Sequence, residues 1–66
     1  MLVKYSRHAR EQMIERGISE REVEEAIQRG KKELQKPDKL LSYYKYFCVV
    51  FKRRGAASHV ITVKPR

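Results

Sequence analysis

Apolar residues recur at helical spacing in the first half of the chain and at strand spacing in the second. Tyr5, Ala9 and Met13 stand four apart and make a narrow stripe, with Gln12 and Arg16 on its flank. Val23, Ala26 and Ile27 repeat the i, i+3, i+4 spacing. These patterns predict helices over 7–16 and 20–29. The end signals agree: Ser6 can cap the first helix, Gly17 can take the left-handed conformation that stops it, and Ile18 supplies the apolar contact that follows. Ser19 with Glu22 reads as a capping box, with Ile18 and Val23 as its staple, and Gly30 as the stop of the second helix. A helical hairpin follows.

Beyond Gly30 the period changes. A short strand is predicted over 31–35, a turn at Lys36-Pro37-Asp38-Lys39, strands over 40–45 and 46–52, a hairpin loop at Arg53-Arg54-Gly55-Ala56, and a last strand over 58–64. No strong turn signal separates 40–45 from 46–52. In 46–51 both alternating sets are apolar, as in a central strand covered on both faces or one whose second face meets a partner. The last strand alternates Ile61 and Val63 with Thr62 and Lys64. By parity His59 joins Ile61 and Val63 on the core side. The expected fold is α+β, a single domain over 1–66 with its N-terminal helical hairpin packed on a three- to four-stranded antiparallel sheet. So small a chain has a marginal core, and the doubly apolar strand makes a homodimer an expectation.

Charge sharpens the picture. Residues 1–30 carry six basic and six acidic side chains; residues 31–66 carry ten basic and two acidic, so the whole excess of +8 lies there. A basic half on a neutral helical half points to a polyanion, RNA first and an acidic protein second. A solvated lysine-rich surface is the bland alternative. The single cysteine, Cys48, has no partner in the chain and suits a reducing cytoplasm, the expected location. No apolar run approaches the roughly 20 residues of a membrane helix, so no membrane association is expected. Cys48, His8 and His59 lack metal-ligand spacing, and no glycine-rich phosphate loop occurs, so neither metal nor cofactor is expected.

The candidate chemistry is sparse. His8 falls off the apolar stripe near a helix N-terminus, where a neutral imidazole is favoured and can act as a base; an ordinary surface histidine is the competing explanation. Tyr43, Tyr44 and Tyr46 interleave with Lys45, and Lys52, Arg53 and Arg54 follow. Cations hold phosphates and aromatic rings stack on unpaired bases, so Tyr44, Tyr46, Lys45, Lys52, Arg53 and Arg54 are candidate nucleic-acid contacts. Half-buried strand tyrosines explain the rings equally well.

The opening residues Ser6, His8, Ala9, Met13, Arg16, Gly17, Ile18, Ser19 and Val23, with the closing Ile61-Thr62-Val63, resemble the family known as domain of unknown function 4258. That family looks like a compact relative of RelE-type and BrnT-type toxins, in which two helices precede a curved antiparallel sheet that binds RNA. The resemblance implies His8 and Thr62 as catalytic positions, with Lys45 or Arg53 as the middle-strand cation. It implies an RNA-binding, toxin-like domain acting as a metal-independent endoribonuclease, with an acidic antitoxin as partner. The alternative is a non-catalytic binding module for nucleic acid or an acidic protein. With almost nothing after the expected last strand in residues 1–66, no counterpart is expected here for catalytic residues that such toxins carry in C-terminal segments.

Overall fold

The computed structural model describes residues 1–66. Seven elements follow one another: β1 (Leu2–Tyr5), α1 (Arg7–Arg16), α2 (Glu20–Arg29), β2 (Lys31–Gln35), β3 (Lys39–Tyr44), β4 (Phe47–Arg54) and β5 (Ala57–Pro65). The helix bounds are those the spacing predicts. Ser6 Oγ accepts the Ala9 N–H at 3.0 Å, Gly17 lies at φ 66°, and the Ile18 N–H returns to Met13 O at 2.9 Å. Both arms of the Ser19–Glu22 capping box are made, each at 3.1 Å. Arg10 on α1 meets Glu20 on α2 at 2.7 Å and ties the two helices.

The strands form one mixed sheet in the order β1-β5-β4-β3-β2, with β1 parallel to β5 and every other pair antiparallel. This overturns the expected three- to four-stranded antiparallel sheet behind an N-terminal hairpin, because a strand precedes the helices and the sheet has five strands. Four residues are too few for alternation to stand out, and Tyr5 also fits the helical stripe by spacing. Here Val3 and Tyr5 turn toward the helices while Leu2 and Lys4 face away. Their partner segment begins at Ala57, a pairing that no local pattern signals.

Both helices pack on one face of the sheet. Ala9, Met13, Ile18, Val23, Ala26 and Ile27 meet Phe47, Val49, Phe51, Val60 and Val63, and burying each of the larger side chains contributes about 1.5–3 kcal/mol. Gly30 sits where α2 touches β3. A Cβ there would lie closer than 3.0 Å to Ser42 Oγ, Ala26 O and Tyr43 O, and the Ser42 hydroxyl donates to Ala26 O across the same contact. Gly30 is therefore required by close approach, not by an unusual φ, which is −67°.

Three local features depart from the sequence pattern. Arg53 and Arg54 belong to β4, and the loop is only Gly55–Ala56. The β3–β4 hairpin turns on Lys45 and Tyr46, with Lys45 at φ 50°, so its turn carries none of the usual glycine or asparagine signal. In β5 the register slips: Val50 pairs with Thr62 and Phe51 with Val60, leaving Ile61 as a bulge. The extra residue reverses parity before it. His59 therefore pairs with Lys52 and faces away from the helices, which corrects its expected core-side position.

Where β1 ends, α1 takes over beside β5. Ser6 N–H donates to Val60 O at 3.0 Å and Ser6 Oγ to Ile61 O at 2.8 Å. One turn beyond His8, Gln12 Oε1 accepts both the Val63 N–H at 2.8 Å and the Thr62 hydroxyl. The helix thus satisfies strand groups that a sixth strand would otherwise pair.

Candidate nucleic-acid interface

The face of the sheet opposite the helices carries no further layer. Register pairs order it into rows: Lys31–Tyr43–Cys48–Lys64, then Glu33–Leu41–Val50–Thr62, then Lys52–His59–Lys4, then Arg54–Ala57–Leu2. Leu41, Cys48 and Val50 form a small apolar floor, each 5% exposed or less, with Tyr43 packed against it. Both faces of β4 are thus buried within one chain, which removes the motive for covering that strand with a second copy. Long basic side chains surround the floor, and the acidic ones beside it are Glu33 and Asp38. Asp38 lies 3.4 Å from Lys52 Nζ.

Strand alternation divides the residues that the sequence grouped together. Tyr43 faces the open side. Its neighbour Tyr44 packs into the helix-side core, edge-on to Phe47 at 6.1 Å between ring centroids. Tyr46 is exposed at the hairpin tip, edge-on to Phe47 at 5.4 Å. Lys45 leans back toward α2, 4.0 Å from Glu22, and stands 5.5 Å from the centroid of the Tyr44 ring. Lys52 and Arg54 share the open face, whereas Arg53 pairs with Ser58 on the helix-side parity and covers the Phe51 ring at 5.9 Å.

The two implied catalytic positions are not joined by any described contact. His8 is exposed in the first turn of α1. Thr62 is engaged by Gln12, a residue that the helical wheel put on the flank of α1 without a role. The face takes Tyr43 from the tyrosine run and adds residues outside the predicted contacts: Lys31, Lys64, Lys4, His59 and Arg66. Simple alternation singles out Tyr43 over Tyr44, but the bulge hides His59 and the unrecognised β1 hides Lys4.

The electrostatics of the face suit a ligand of negative charge. Arg66 folds back over the Tyr43 ring at 5.8 Å and donates to Lys45 O at 3.3 Å. With Lys31, Lys32, Glu33 and Tyr43 it lines a hollow of about 230 Å³. The Tyr43 phenol is pushed up, first by burial and then by Glu33, whose carboxylate accepts its O–H at 3.3 Å. It therefore stays a neutral donor. Burial likewise pushes the Cys48 thiol up, against the opposing pull of Lys64, so the sulfur is not the thiolate that nucleophilic chemistry needs. Lys32 is pushed down by burial and by Arg53.

The family model described as Domain of unknown function (DUF4258) matches residues 5–65, which include both capped helices and strands β2 to β5 but only Tyr5 of β1. The chain belongs to this family. No curated protein and no solved structure matches the chain. No helix of this DUF4258 domain is long and apolar enough to cross a membrane.

Proposed function

We propose that this DUF4258 domain binds single-stranded RNA across the helix-free face of its sheet. The observation that carries the reading is the ring of cations around an apolar floor topped by the Tyr43 ring. Cations hold phosphates without regard to sequence, and an aromatic ring beside an apolar surface accepts an unpaired base. An acidic protein, such as an antitoxin of a toxin-like module, is the runner-up occupant of the same face.

Metal-independent RNA cleavage is the finer part of the proposal. It needs a base for the 2′-hydroxyl, cations for the charge developing on phosphorus and an acid for the leaving oxygen. The face supplies the cations. Thr62 gives its hydroxyl to Gln12, so the open-face imidazole, His59, is better situated for proton transfer than the pair His8 and Thr62.

Titration of labelled single-stranded RNA by fluorescence anisotropy tests the binding. Engagement of about four phosphates predicts a roughly 50-fold loss of affinity between about 50 and 200 mM salt. Lys64→Glu should weaken binding and flatten that dependence. Absence of binding at low salt, or binding that salt does not change, defeats the proposal. Capture of an acidic protein from nuclease-treated lysate would favour the runner-up. For cleavage, incubation with RNA in a chelator should yield fragments ending in 2′,3′-cyclic phosphate, and intact RNA would leave binding alone.

A further inference from the structure

One row of the helix-free face has a composition unlike the others. Lys52 on β4, His59 on β5 and Lys4 on β1 are direct register partners, so an imidazole stands between two ammonium groups on adjacent strands. Lys52 and His59 are opposite each other in an antiparallel pair, where Cβ atoms lie about 4.5–5.5 Å apart. Lys4 is on the next strand, roughly 4.8 Å further, so the three side chains can reach one small anion. The charged neighbours of the row are Arg54, one pair further along β4, Lys39, which precedes Leu40 beside Phe51, and Asp38, which engages Lys52. No carboxylate stands beside His59 in the row itself. The bulge at Ile61 is what turns His59 this way; without it, alternation from buried Val63 would send the ring toward the helices. Bulges commonly re-aim side chains at functional positions.

We infer that Lys4, Lys52 and His59 form a phosphate-binding site in which His59 carries a proton while the phosphate is bound, so that affinity for RNA is linked to pH. This rests on the RNA-binding reading of the face and assigns its phosphodiester contact. Lys4 and Lys52 recruit the anion, Lys52 sharing its charge with Asp38. The anion then completes the missing counter-charge and favours the protonated imidazole, whose N–H donates to a phosphate oxygen. The coupling runs both ways: phosphate promotes protonation, and protonation tightens phosphate.

Proton NMR of the two imidazoles from about pH 5 to 8, with the domain free, with saturating single-stranded RNA and with inorganic phosphate, tests this directly. RNA should move the His59 midpoint upward while that of His8 stays in place. A one-unit move corresponds to roughly a tenfold fall in RNA affinity from the acid to the alkaline end of the range. His59→Gln should abolish that pH dependence, and Lys4→Ala, on the exposed edge strand, should lower affinity without changing the melting temperature. An unmoved His59 midpoint in a domain saturated with RNA overturns the site while leaving the binding face intact. Equal pH dependence in wild type and His59→Gln overturns it too. If RNA does not bind but inorganic phosphate moves His59, the site stands with a small anion as ligand and the RNA reading falls. If neither ligand moves it, both fall.

Discussion

Replacing Gly30 with alanine adds one methyl group at the contact between α2 and β3, and the structure sets its cost. The new carbon would lie closer than 3.0 Å to Ser42 Oγ and to two backbone oxygens, those of Ala26 and Tyr43. Backbone oxygens cannot rotate aside, so α2 must lift from β3. Overpacking of this kind costs about 1–3 kcal/mol. Separation would also strip the buried Ser42 hydroxyl of its acceptor, Ala26 O, at a further cost of about 1–3 kcal/mol. A total of about 2–6 kcal/mol is a large part of the roughly 3–10 kcal/mol expected for a domain of this size. At about 4–8 °C per kcal/mol, the melting temperature should fall by at least about 8 °C. Thermal and urea denaturation followed by circular dichroism would measure it. Gly17→Ala and Gly55→Ala are the controls: both positions have open space and differ only in positive φ, so each should cost about 1–2 kcal/mol. A Gly30→Ala melt indistinguishable from that of Gly17→Ala would refute the steric account.

Gln12→Leu should cost about 1–3 kcal/mol, because it leaves the Val63 N–H and the Thr62 hydroxyl unpaired, and urea denaturation would read this. Thr62→Val should lower stability by about 1 kcal/mol with RNA binding and any cleavage unchanged; loss of cleavage at full stability would restore Thr62 as a catalytic residue. The Tyr5 phenol is pushed up to about 12, chiefly by burial and then by Glu20 and Glu24, and its hydroxyl has no partner. A folded value above the ordinary 10.0 means that its contribution is whole below pH 10 and is lost as pH rises toward 12. Tyr5→Phe should remove this alkaline loss without lowering stability at neutral pH, as denaturant midpoints across that range would show.

What could be read from the residues follows the range of the interactions that determine them. Ser6, Gly17, Ser19 and Glu22 act within one helical turn, and both helix bounds and the capping box were legible. Lys31–Gln35 was also legible as a strand, since Gly30 and the Lys-Pro-Asp turn bracket it. Leu2–Tyr5 was not, because its four residues become a strand only against Ala57–Val60. The tyrosines and cations form a run in the chain but not a cluster in space. Tyr43 and Tyr44 are adjacent in the chain and so point to opposite faces, as do Lys52 and Arg53. A single residue decides which face His59 takes. One unpaired residue, Ile61, reverses every position before it, and nothing in Val-Ile-Thr-Val announces a bulge.

The parallel pairing of β1 with β5 has a consequence for how the chain is made. Residues 2–5 leave the ribosome 55 positions ahead of their partners, a wait of roughly 3–11 s at about 5–20 residues per second. The two helices have their caps within their own segments and can form during that interval, whereas β1 has nothing to pair with. Its brevity and the charge of Lys4 limit what else it could join. The first strand synthesised is therefore among the last to be seated, and its arrival brings Lys4 beside His59. The proposed phosphate contact would come into being only as synthesis of β5 completes the sheet.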